Sequence, residues 1–109
     1  METLLWKDAR EKIKKGVNFV EFAAPWCPDC VMMKPVIQQV EQEIKNLNLP
    51  VNFYHVNADE SGMFRKADAE VAVLRIPTHY IVKDGKQVFI GYEYFPKHIL
   101  VEKIKELFK

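Results

Sequence analysis

The chain has 109 residues, 49% of them hydrophobic and 28% charged, with a formal net charge of +1. That is enough for one compact domain (residues 1–109) with a single core, and it leaves no room for a second domain with a core of its own. Lys and Glu are interspersed, which argues against nucleic acid as the main partner. No stretch approaches the roughly 20 apolar residues that span a bilayer. The first sixteen residues carry no apolar signal core, so neither a membrane anchor nor secretion is expected.

In chain order, a first strand before Leu4 is absent or very short. Leu5, Ala9 and Ile13 recur at helical spacing within Leu4–Lys15, and Gly16 suits the position after a helix end. Val17–Ala24 is short and mostly apolar, a buried strand interrupted by the carboxylate of Glu21. From Cys27 to Asn46 a long helix is expected, with Val36, Val40, Ile44 and Leu47 on one face and Pro35 kinking it. Val51–Asn57 alternates as a second strand. Glu60–Leu74 reads as a third helix. Thr78–Val82 and Gln87–Ile90 are strands joined at Asp84-Gly85, a strong hairpin signal. Pro96–Phe108 closes the chain as a helix with Leu100, Ile104, Leu107 and Phe108 as its apolar face, and Pro96 in the first turn. The order αβαβαββα predicts an α/β fold: a mixed four-stranded sheet, parallel in its core with an antiparallel C-terminal hairpin, and helices on both faces.

There are two cysteines, Cys27 and Cys30. A disulfide between residues this close in sequence constrains the unfolded chain very little, so a stabilising role explains the pair poorly. A structural zinc site needs four ligands, and only His55, His79 and His98 remain, at no recognisable spacing; no metal is expected. Trp26-Cys27-Pro28-Asp29-Cys30 instead lies between a buried strand and a helix start, where backbone N–H groups and the helix dipole favour a thiolate. Cys27, at the helix start, is expected to be the more exposed and more acidic sulfur. Cys30 lies one turn in, within bonding reach.

Phe19 to Cys27, with an acidic residue six positions before the first cysteine, resembles the active-site strand of the thioredoxin family. Pro35, five residues after Cys30, is similar to that family's helix-kinking proline. Ile76-Pro77-Thr78 resembles its cis-proline loop, and Lys83–Lys86 its hairpin. The resemblance runs from Val17 to the C-terminus and implies a thioredoxin fold. It further implies a thiol–disulfide oxidoreductase that reduces disulfides of protein or small-molecule clients, with no bound cofactor beyond the Cys27–Cys30 disulfide. The implied roles are nucleophile for Cys27, resolving thiol for Cys30, and proton acceptor from Cys30 for Glu21. Pro77 is expected to be cis and to pack against the disulfide, with the backbone of Ile76 pairing with an extended client. An NADPH-dependent thioredoxin reductase is the implied electron donor, and a cytoplasmic monomer is expected.

The chain also departs from the family pattern. Pro28-Asp29 stands where thioredoxin has Gly-Pro, and the charge of Asp29 suits the helix start yet opposes a neighbouring thiolate. Glu21 replaces Asp, one methylene longer. His55 falls where Lys is frequent and can pair with Glu21. Val31 replaces a basic residue. His79, two residues past Pro77 and on the same strand face, reads as a half-buried histidine satisfied by backbone or water. His98 reads as a solvated helix residue, and Met32 and Met33 as core filling or rim. Trp26 is expected to shield the site and contact clients. Two other functions compete: a redox-switched binding module on the same fold, and a glutathione-linked enzyme, since Pro follows the first cysteine in glutaredoxins too.

Overall fold

The computed structural model describes residues 1–109. The strands are β1 (Glu2–Thr3), β2 (Val17–Ala23), β3 (Val51–Asn57), β4 (Thr78–Lys83) and β5 (Lys86–Tyr92). The helices are α1 (Trp6–Lys12), α2 (Pro28–Asn46), α3 (Ala58–Ser61) and α4 (Lys97–Lys105), the last running into a 3₁₀ turn over Glu106–Phe108.

One sheet of order β1-β3-β2-β4-β5 organises the chain. β1 and β2 pair parallel with β3, while β4 and β5 add antiparallel. The sheet therefore has five strands rather than four. The extra one is the two-residue β1, whose Thr3 pairs with His55 and which is too short to show any periodicity. All seven residues of β2 are buried, because it is central and covered on both sides. Its alternate side chains serve two cores. Val20 and Phe22 pack with Tyr54, Val56, Tyr80 and Val82 beneath Ala9 of α1 and Ile13, which caps its end. Phe19 packs with Phe53 and Ile81 beneath Met33, Ile37, Val40 and Ile44 of α2 and Leu100, Val101 and Ile104 of α4. Glu21 shares the parity of Phe19, so its carboxylate points to the α2/α4 side.

Val40 and Ile44 lie in the buried stripe of α2 as expected, but Met33 and Ile37 complete it, with Val36 only partly buried against it. The helix stops at Asn46 and leaves Leu47 45% exposed. Of the helix expected over Glu60–Leu74, the structure keeps none beyond Ser61. The helical turn starts earlier, where the Asn57 side chain accepts from the backbone N–H of Asp59 and Glu60, and Gly62 ends it at φ 73°. The rest is an irregular loop that buries Met63, Val71 and Val73, held by the Arg65 N–H on the Val73 carbonyl (2.8 Å). The hairpin forms at the expected place: Asp84 and Gly85 take φ 50° and 81°, as a two-residue turn with two left-handed positions requires. Its tip is tied to the end of α1, with Gly16 N–H donating to Asp84 Oδ1 at 2.8 Å.

Candidate active site

The carboxyl end of β2 delivers the chain through Ala24-Pro25-Trp26 to the start of α2. Cys27 is the N-cap residue, and its Sγ accepts the backbone N–H of Cys30 at 3.2 Å. This satisfies one of the orphan donors of the first turn. Pro28 occupies the first helical position, where its missing N–H costs nothing. Asp29 is exposed in the same turn. Exposure does not separate the sulfurs as expected: Cys27 is 5% and Cys30 8% exposed. The reason is the loop above Cys27, whose thiol donates to the Ile76 carbonyl at 3.7 Å.

That loop contains the cis peptide Ile76–Pro77. Thr78 Oγ1 donates to the Arg75 carbonyl at 2.5 Å, bracing the loop from below. The Ile76 N–H takes part in no backbone hydrogen bond, and its carbonyl is met by the Cys27 thiol. A cleft of about 440 Å³ runs past Cys27, Pro28 and Ile76, with Trp26, Phe64 and Arg75 on its walls. Trp26 is 57% exposed. Its Nε1–H donates to Asp59 Oδ2 at 2.7 Å, and its ring tilts against Phe64 at 5.9 Å.

Cys30 belongs to a second cleft of about 560 Å³, shared with Glu21, Lys34, Glu41 and His55. Burial, then the hydrogen bond to Cys27, push the Cys30 thiol up to about 12, with the charge of Glu21 adding to the rise. Glu21 is fully enclosed, and burial raises its carboxyl above the ordinary range, against the lowering effect of a hydrogen bond and charge from a histidine.

That histidine is His79, not His55. The register places His55 and His79 opposite Glu21 on its two neighbouring strands. His79 Nδ1 lies 2.7 Å from Glu21 Oε1 and its Nε2 2.8 Å from the Glu93 carbonyl. His79 is 0% exposed, so it is neither half-buried nor satisfied by backbone alone. His55 Nδ1 is buried without a partner. Burial, then the positive charge of Lys34, lower His55 and keep it neutral, so the expected Glu21–His55 pair does not form. A neutral imidazole offers Glu21 no charge, and β3 holds it beside Lys34. Parity along β4 put His79 on the right face; which strand supplied the partner needed the register. The sequence reading also missed Asp59, the anchor of Trp26. His98 is exposed on α4, Met33 is core and Met32 is exposed. No group of three or more His, Cys, Asp or Glu side chains converges as metal ligands. No helix is long and apolar enough to cross a membrane.

The family model described as Thioredoxin matches residues 4–106. A thioredoxin of Mycoplasmopsis pulmonis is 99% identical over 109 residues, covering 100% of both chains. One of Bacillus subtilis is 29% identical over 92 residues, 84% of this chain and 83% of the relative. Among solved structures, Fasciola hepatica thioredoxin superposes with a TM-score of 0.77 at 29% identity, covering 97% of this chain and 98% of the other. Mitochondrial thioredoxin 3 of Saccharomyces cerevisiae, in its oxidised form, also gives 0.77, at 27% identity and 97% and 94% coverage.

Proposed function

The chain belongs to the thioredoxin family and is a thiol–disulfide oxidoreductase, a protein-disulfide reductase; from that premise we propose how its own residues divide the work. Cys27 is the nucleophile. As a thiolate it attacks one sulfur of a client disulfide, a Cys27–client disulfide forms, and the other client sulfur leaves as a thiolate. Cys30 resolves this intermediate. Its proton passes to Glu21, its thiolate attacks Cys27 Sγ, the Cys27–Cys30 bond forms and the second client thiolate departs. The two cysteines give up two electrons and the client sulfurs gain them.

The observation that carries this reading is the seat of Cys27: N-cap of α2, its sulfur accepting the Cys30 N–H, beneath the Ile76–Pro77 loop. The Cys30 thiol, pushed up to about 12, is a poor thiolate source by itself, which is why a base beside it matters. Glu21 lines the same cleft and its raised basicity suits that task near neutral pH. Ile76 offers an extended client its backbone N–H, and its carbonyl once Cys27 has lost the proton that it donates there, and Pro77 and Thr78 hold that loop in place. Trp26 and Pro28 form the apolar rim that shields the bond being exchanged, and Asp29 modulates the charge at the helix start. His55 stays a neutral lining residue of the second cleft. An NADPH-dependent thioredoxin reductase returns the disulfide to the dithiol, and the protein works as a monomer in the cytoplasm, where dithiols are kept reduced.

Insulin-disulfide reduction with dithiothreitol tests the assignment. Cys27→Ser abolishes turnover, and Cys30→Ser arrests the protein as a Cys27–client disulfide visible by mass spectrometry. Accumulation of that adduct through Cys30 in Cys27→Ser would reverse the two roles.

A further inference from the structure

The buried pair Glu21–His79 contains a constraint that follows from its partners. The Glu93 carbonyl can only accept a hydrogen bond, so His79 Nε2 carries a proton whenever that 2.8 Å bond is made. Glu93 is itself held: its N–H donates to the Pro77 carbonyl at 2.8 Å, and its carboxylate meets Arg75 Nη1 at 3.3 Å. With Nε2 committed, the 2.7 Å contact between Nδ1 and Oε1 holds one further proton, on nitrogen or on oxygen. Proton on nitrogen makes an imidazolium–carboxylate pair. Proton on oxygen makes two neutral groups. Glu21 Oε2 makes no hydrogen bond within the protein and is not a sealed orphan, and its residue lines the cleft that contains Cys30.

We propose that His79 is a positioning residue for the resolving step: it grips Oε1 of Glu21, keeps the carboxylate ionised despite its burial, and so leaves Oε2 as the atom that takes the Cys30 proton. The inference rests on the reading of Glu21 as the base. The step balances simply: Cys30–SH loses its proton to Oε2, Cys30–S⁻ forms the bond to Cys27 Sγ, and the client thiolate leaves with the electron pair of the broken bond. The proton on Oε2 then returns to solvent through the cleft, and His79 ends as it began.

The charges around the pair agree with this. The groups that face it are Cys30 and Lys34 of α2 and His55 of β3; β5 presents only Gly91 opposite His79, and the rings of Phe19 and Phe95 close the remaining sides of the imidazole. Burial would lower the imidazole, but the hydrogen bond and charge of Glu21, helped by the Glu93 carbonyl, outweigh it and raise it. Lys34 lines the same cleft but makes no ion pair with Glu21, and His79 is the one group hydrogen-bonded to the carboxylate, so it is the positive partner that a buried carboxylate needs.

Reaction of the reduced protein with excess 5,5′-dithiobis(2-nitrobenzoate) separates the steps. One chromophore is released when Cys27 attacks, and a second, in a first-order phase independent of reagent concentration, when Cys30 resolves. In His79→Gln, which keeps a donor but no titratable charge, the acid limb of the second phase moves up by about one pH unit, so that the rate on that limb falls about tenfold. The deficit closes as pH rises through the shifted carboxyl, while the first phase is unchanged. A deficit that is the same at every pH, or no deficit, overturns the role of His79. Glu21→Gln slows the second phase further and removes the acid limb; if it does neither, the base assignment fails and this inference with it. Should His79→Gln not fold, ring ¹⁵N shifts of the reduced wild type decide: both His79 nitrogens carry protons at pH 7, and an unprotonated Nδ1 would refute the ionised pair.

Discussion

Replacing both members of the Glu21–His79 pair by leucine is expected to harm stability less than replacing either one. A buried ion pair that loses one partner costs about 3–5 kcal/mol, because the survivor is left buried and uncompensated, whereas a matched apolar replacement of both is near neutral or stabilising. Glu21 can escape part of the cost by taking up a proton, and it lines a cleft, so the lower end, about 3 kcal/mol, is the expectation for His79→Leu. In a domain of this size that is a fall in Tm of about 12 °C, at about 4 °C per kcal/mol. Urea or thermal unfolding of wild type, both single variants and the double would read a favourable coupling well above 1 kcal/mol between the sites. The pH dependence has a definite sign. Glu21 and His79 are both raised above their unfolded values, so the folded state holds more protons than the unfolded one. Stability from the pair is therefore full below the usual carboxyl and imidazole values and is lost as pH rises through the folded ones. Wild type should lose ground to the double variant as pH rises above the ordinary carboxyl range and through the raised values of the pair. Strictly additive single effects, or a difference that grows with pH, would refute this account of the pair.

Other expectations are independent of it. In Cys27→Ser, Cys30 should react with iodoacetamide at pH 8 at least about a hundredfold more slowly than an unhindered thiol, since burial holds it protonated; a rate near the free-thiol value would show that the second cleft wets the sulfur. Asp29→Asn removes an exposed negative charge from the first turn of α2 and should speed alkylation of Cys27 several-fold at low ionic strength, the difference shrinking in 1 M salt. Gly91→Ala puts a methyl 2.7 Å from the Phe95 ring and 2.9 Å from that of Phe89. Phe95 must give up its T-shaped contact with His79, and urea unfolding should report a loss of about 1–3 kcal/mol from overpacking.

Much of this site could be read along single segments of the chain. Strand, turn, helix N-cap and cysteine spacing lie within the stretch from Val17 to Cys30, where local rules act, and the Asp84-Gly85 turn is equally local. What escaped depended on distance. Alternation places Glu21, His55 and His79 on one sheet face, yet says nothing about which neighbour bonds to which; that was decided by the Glu93 carbonyl taking Nε2 and by Lys34 standing beside His55. The segment after Glu60 is rich in helix formers, but its buried residues Met63, Val71 and Val73 keep no helical period, and Gly62 stops the turn. β1 is two residues whose only claim to be a strand is the partner edge of β3.

The two clefts place Cys27 and Cys30 in different neighbourhoods. The two share no lining residue, so a client confined to the first does not touch the second. On the roles proposed for Cys27, Cys30 and Glu21, electron delivery and proton disposal use separate doors, and the bulk of a client should govern how fast it docks without throttling how fast it is released.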